Sequence, residues 1–187
     1  MKSQLVAILS DLIAIPSPYP PGTSVEICAY AGKRLKKAGY KVEIATHKKG
    51  VDNVVARRKG KAKGPVIAFN AHVDTVGVGE RANWKSDPYK ALVKGGLVYG
   101  LGAGNCKGSM AVQLWLAEEI ARRGGPAKGE LIFTFVADEE NLGPDLSSTM
   151  HSMSPTLLRT LSRMDLADED LARLQEIWAK DTGINER

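Results

Sequence analysis

The hydrophobic positions of this chain follow two rhythms. Leu5, Ile8, Leu9, Leu12 and Ile13 recur at three- and four-residue steps and predict an amphipathic helix over 3–15, which Pro16 stops. A proline-rich loop over 17–22 leads into a second helix, 24–38, with Gly39 in the C-terminal capping position. Short apolar runs then predict strands at 40–45, 53–58 and 66–70, separated by turns. Residues 76–94 carry no clear period. A third helix, 107–123, places Met110, Leu114 and Trp115 on one apolar face and stops at Gly124-Gly125; a last strand follows at 131–136. Helices alternating with strands predict an α/β fold: a three-layer, mixed and mostly parallel sheet with helices on both faces.

Beyond Gly143 the pattern changes. Of 19 glycines only Gly183 lies after that point, and strand-like runs stop. Residues 147–154 are rich in Ser, Thr and Met, while 155–164 and 168–180 read as helical, with Leu171, Leu174, Ile177 and Trp178 on one face. The expected organisation is an α/β domain over 1–143 and a helical tail over 144–187.

Composition narrows the class. A chain of 187 residues with 43% hydrophobic and 25% charged residues suits a soluble globular domain. No apolar run approaches the roughly 18 residues that span a membrane, and the N-terminus lacks the pattern of a signal peptide. A cytoplasmic protein without a membrane partner is the expectation. Cys28 and Cys106 make neither a disulfide framework nor a metal spacing, and Cys106 reads as a small packing residue. The net charge of +5 is uneven: +8 over 1–143 and −3 over 144–187. Basic clusters at 33–37 and 57–63 fall on a helix face and in a turn, without interleaved aromatics, so no nucleic-acid partner is expected.

The chemistry concentrates in three stretches. His72 and Asp74 follow the strand at 66–70 and should emerge at its C-terminal end, where open α/β sheets place ligands. Gly100 to Gly108, containing Asn105, opens a helix, and Asp138-Glu139-Glu140 ends the strand at 131–136. A His, a nearby Asp and paired carboxylates at strand ends are the raw material of a metal-hydrolase site. The glycine stretch is not a nucleotide loop, because it reads Lys-Gly-Ser instead of Gly-Lys-Ser and misses the dinucleotide spacing.

In this order and spacing, His72-Val73-Asp74, Tyr99 to Gly108 and Asp138 to Gly143 resemble the two-zinc metallopeptidase and deacylase family of acetylornithine deacetylase, succinyl-diaminopimelate desuccinylase, aminoacylase and glutamate carboxypeptidase. Ile15-Pro16-Ser17, Pro20-Pro21-Gly22 and Asn53 to Ala56 also look like its landmarks, so the likeness runs from about Ser3 to Gly143. The resemblance implies a zinc-dependent hydrolase of amide bonds, acting on a small peptide or an N-acyl amino acid. It implies that His72 ligates one zinc, Glu140 the other, Asp74 orients His72 and Glu139 is the general base. Family members are roughly twice this length and carry an inserted lid, so the chain resembles only the N-terminal part of a catalytic domain.

Three departures bear on activity. Asn105 stands where the family has an aspartate bridging both zincs, and an amide offers one neutral oxygen where a carboxylate offers two charged ones. The family's further carboxylate ligand and its later histidines have no counterpart, since His47 lies among lysines and His151 in the unmatched tail. Asn105 also stands where it would cap the helix that follows. The rival reading is a non-catalytic remnant serving as a protein-interaction module, or a gene fragment, with a homo-oligomer or partner held through an exposed sheet edge or the tail.

Overall fold

The computed structural model describes residues 2–140. The chain divides into two units after Glu140; the predicted helical tail and His151 lie outside the described residues.

The helices form where the apolar period calls for them. α1, Lys2–Ala14, buries Ile8, Leu12 and Ile13. α2, Val25–Lys37, buries Ile27, Cys28, Ala31 and Leu35, one stripe at four-residue steps. Gly39 ends α2 at φ 80°, and the Tyr40 and Gly39 amides donate to the Leu35 and Lys36 carbonyls. This left-handed cap satisfies carbonyls the helix leaves open, in a conformation that glycine adopts without a Cβ clash.

Strand β1, Lys41–Lys48, turns through Lys49-Gly50 into β2, Val51–Lys59, as an antiparallel hairpin. β3, Ala62–His72, comes next in sequence but not in the sheet. After a 3-10 turn at Arg81–Asn83 and a small hairpin of β4, Leu92–Lys94, and β5, Leu97–Tyr99, helix α3, Cys106–Arg122, leads into β6, Lys128–Val136. β6 inserts between β2 and β3, giving the order β1-β2-β6-β3. The short Gly60-Lys61 link from β2 to β3 must therefore step past the start of β6. It does so at van der Waals limit: a Cβ on Gly60 would lie 2.7–2.8 Å from the Lys128 backbone, and the Gly60 amide donates to the Gly129 carbonyl at 2.7 Å.

The mixed sheet and three α-helices agree with the expected α/β class. Two details differ among the described residues. Two of the three pairings in the main sheet are antiparallel, because only β3–α3–β6 is a helical crossover. All three α-helices also lie on one face: α2 packs on β1 and β2, α3 on β3, these two helices touch each other, and α1 packs on α3. Alternating helices and strands leave that choice open, since a crossover does not say which neighbour its strand will take.

The core lies between this helical layer and the sheet. Phe133 of β6 stacks on Phe69 of β3 at 5.1 Å and meets the edge of Tyr40 at 5.6 Å. Met110 and Leu114 of α3 and Leu35 of α2 close over it, fully buried. The Tyr40 hydroxyl donates to the Ala117 carbonyl at 3.2 Å, so the polar end of a core ring is satisfied by the helix it supports. Among the described residues, no helix is long and apolar enough to cross a membrane.

Candidate metal centre

The parallel pair β3–β6 explains why residues more than sixty positions apart meet. His72 is in register with Val136, so both strands end at the same border of the sheet. The Val73 amide donates to the Val136 carbonyl at 2.8 Å and carries the pairing one residue further. α3 returns across the sheet antiparallel to these strands, which brings Asn105, at its N-terminus, to the same border. Past β6, Asp138 adopts φ 73°, a left-handed turn that aspartate tolerates better than most residues. That turn leads into Glu139 and Glu140.

All five sequence-predicted residues meet here. The His72 Nδ1 donates to the backbone carbonyl of Asp74 at 3.0 Å, and its Nε2 lies 3.1 Å from the Asn105 Oδ1. Asn105 Nδ2 donates to Glu140 Oε1 at 2.6 Å. The Glu140 backbone amide donates to Asp74 Oδ2 at 2.8 Å. Glu139 is more exposed, with Oε2 3.7 Å from His72 Nδ1. Asp74 is fully buried; its Oδ1 has no hydrogen-bond partner and lies 3.6 Å from His72 Nδ1, too far for a hydrogen bond but close enough to act as a charge. Asp74 thus holds the imidazole through its backbone and the glutamate pair through its side chain.

Electrostatics follow from this crowding. Burial pulls the His72 pKa down, but the nearby Asp74, the charge of Glu139 and the Asn105 oxygen outweigh it and raise it to about 9. Both ring nitrogens then act as donors in the metal-free protein. Cys106 is buried and pushed up to about 12, chiefly by desolvation, as befits a packing residue and not a reactive thiol.

Asn105 precedes α3 as expected, but its side chain makes no capping hydrogen bond; it spans His72 and Glu140 instead. A capping residue and a bridging residue look alike in sequence, because the bridge depends on groups 33 and 35 positions away. Other supports were not singled out as parts of the site. Lys107 is fully buried, its Nζ donating to the Ile15 carbonyl at 2.8 Å, and desolvation lowers its pKa to about 8. It ties the glycine loop to the end of α1. Asn53 Oδ1 accepts from the Ala137 amide at 2.8 Å and steadies the segment that leads to the glutamates. Ser17 donates to the Val73 carbonyl at 2.8 Å. The available signals were the landmark stretches that hold them: the proline loop for Ser17, Asn53 to Ala56 for Asn53 and Tyr99 to Gly108 for Lys107.

The donor set suits a divalent cation. His72, Glu139 and Glu140 each offer an atom within 4.8 Å of the others, and the buried, unpartnered Asp74 oxygen stands behind the imidazole.

Known proteins resemble this chain in sequence and in fold. The succinyl-diaminopimelate desuccinylase of Acinetobacter baylyi is 32% identical over 149 residues, covering 80% of this chain and 38% of that protein. The metallo-carboxypeptidase Sso-CP2 of Sulfolobus solfataricus, an M20 family member, shares the fold with a TM-score of 0.67 at 21% identity, over 79% of this chain and 34% of that one. A dinuclear metal-binding peptidase of the M20 family from Bacillus subtilis aligns with a TM-score of 0.50 at 25% identity, over 72% of this chain and 35% of that one. The chain spans less than two fifths of the length of these curated relatives. The family model for peptidase family M20/M25/M40 matches residues 68–169, a stretch that takes in His72, Asp74, Asn105, Glu139 and Glu140, and the chain belongs to that family.

Proposed function

We propose that residues 1–143 are the N-terminal catalytic portion of a zinc-dependent amide hydrolase whose substrates are small peptides or N-acyl amino acids. The observation that carries this is the convergence of His72, Glu139 and Glu140 within 4.8 Å at the end of a parallel strand pair. His72, Glu140 and the Asn105 oxygen would hold the cation. When bound, such an ion supplies Lewis acidity, polarising the amide carbonyl and making water a better nucleophile near neutral pH.

The chain's own residues supply the rest. Glu139, the most exposed carboxylate of the cluster, takes the proton of the attacking water as the carbon–oxygen bond forms, and delivers it to the leaving nitrogen as the carbon–nitrogen bond breaks. Asp74 keeps the His72 ring oriented through the carbonyl contact to Nδ1. Asp74 also anchors the Glu140 backbone, so the glutamate pair cannot drift from the histidine.

The test is amine release from N-succinyl, N-acetyl and dipeptide substrates by the zinc-loaded chain. Glu139→Gln should cost about 10²–10⁴-fold in turnover while the fold persists. Hydrolysis unchanged by Glu139→Gln, or none with any of these substrates, would sink the proposal.

A protein-interaction role is the second reading, favoured by the exposed apolar residues Val66 and Ile67 on the edge strand β3. Self-association through this edge is the form it would take.

A further inference from the structure

We infer that His72 and Glu140 serve one and the same divalent cation in this chain, and that the Asn105 amide takes the place of a second. The inference rests on the metal-hydrolase reading above and concerns what this chain's own residue 105 does to the centre.

The orientation of the Asn105 amide is set by chemistry. A carboxylate can only accept hydrogen bonds, so the group facing Glu140 Oε1 at 2.6 Å must be the NH₂, and the oxygen must face His72 Nε2 at 3.1 Å. The single oxygen capable of binding a metal is therefore on the histidine side. On the glutamate side residue 105 presents an N–H to Glu140 Oε1, where a second cation would need an oxygen from it. A carboxylate at this position would present an anionic oxygen to each side; the amide presents an oxygen to one and a hydrogen-bond donor to the other.

Distance and charge point the same way. Two donors on one zinc, each at about 2.0–2.2 Å, stand no more than roughly 4.4 Å apart. His72 Nε2 and the Asn105 oxygen, 3.1 Å apart, lie within that span, so the one oxygen of residue 105 goes to the cation of the histidine. Replacing an aspartate by Asn105 also removes one negative charge from the groups that would offset two divalent ions. The fully buried Asp74, its Oδ1 unpartnered 3.6 Å from His72 Nδ1, keeps one uncompensated anionic oxygen directed at the histidine. Three protein donors, His72, Glu140 and the Asn105 oxygen, match the usual complement of a catalytic zinc site.

The experiment is a cobalt(II) titration of the chelator-stripped full chain, read by visible absorption and by bound metal after equilibrium dialysis, with circular dichroism as the folding control. The unmodified chain should saturate at one equivalent, and His72→Ala and Glu140→Gln should each abolish it. Asn105→Asp should raise the count to two, and in that background His72→Ala and Glu140→Gln should each leave one, because the two residues then serve different ions. Two equivalents in the unmodified chain would overturn the inference and leave the hydrolase reading standing. So would one equivalent surviving His72→Ala or Glu140→Gln in the unmodified background, a comparison that decides the matter even if Asn105→Asp does not fold. No cobalt in either the folded unmodified chain or folded Asn105→Asp would remove the inference and the metal-hydrolase reading together.

Discussion

Strand β3 contains two regions of opposite character. From Ala62 to Ala68 every residue is exposed, including Val66 at 51% and Ile67 at 48%, although Ala62 and Val66 to Ala68 pair with β6 on one side. A few residues further on, Ala71, Val73 and Asp74 are buried and His72 is caught in a network drawn from three other parts of the chain. Backbone pairing alone thus does not bury a strand. The first half has a hydrogen-bonded neighbour but no cover for its side chains, whereas the second half acquires cover from the segments that carry chemistry. The centre is closed because its donors hold one another, and the edge is open because nothing among the described residues does the same for it.

Four perturbations test this contrast. The largest effect belongs to the core that both halves share: Phe133→Ala removes a fully buried ring stacked on Phe69 and should cost about 3–5 kcal/mol, measured as the shift in a urea unfolding curve. A loss under about 1 kcal/mol would mean that β6 is not the common support. Next comes Asp74→Asn, which weakens the hold on His72 and the Glu140 backbone and should lower cobalt affinity about 10–100-fold, a larger loss than it causes in the stability of the metal-free fold. Equal loss of stability and affinity would mean that Asp74 serves the fold more than the metal.

A pH series probes the same end of β3. The folded-state pKa of His72, about 9, lies above its ordinary value of 6.5, so the protonated ring stabilises the metal-free fold. That contribution is fully present below pH 6.5 and is lost as the pH rises through about 9. Urea midpoints of the metal-free chain should fall across this window, and the slope should vanish in His72→Gln; an identical slope in both proteins would refute the assignment. The smallest change in stability is expected at the open end. Ile67→Lys should alter it by no more than about 0.5 kcal/mol while reducing self-association in sedimentation velocity. A destabilisation of several kcal/mol would show that this edge is covered in solution.

Much of this was legible from residue order. Side-chain periodicity reports whether a segment can bury one face, so α1, α2, α3 and the strands appear within a few residues of where the apolar steps predict them. His72, Asp74 and the Glu139–Glu140 pair could be placed at strand ends because a short apolar run implies a strand, and chemistry gathers where parallel strands stop. Gly39 as a helix terminator follows from the same local logic, since only its own backbone angle is at stake.

What the order of residues left open was decided at a distance. Strand order β1-β2-β6-β3 and the gathering of the described α-helices on one face depend on which partner β6 takes, and a period-two pattern fits either neighbour equally well. The position of Lys107, buried against the carbonyl of Ile15, arises from a contact spanning 92 residues that no local pattern encodes. Asn105 is the clearest case. Local physics allows a helix cap, but the folded chain supplies two stronger partners, an imidazole and a carboxylate, from segments that only the parallel pairing of β3 and β6 brings within hydrogen-bond reach.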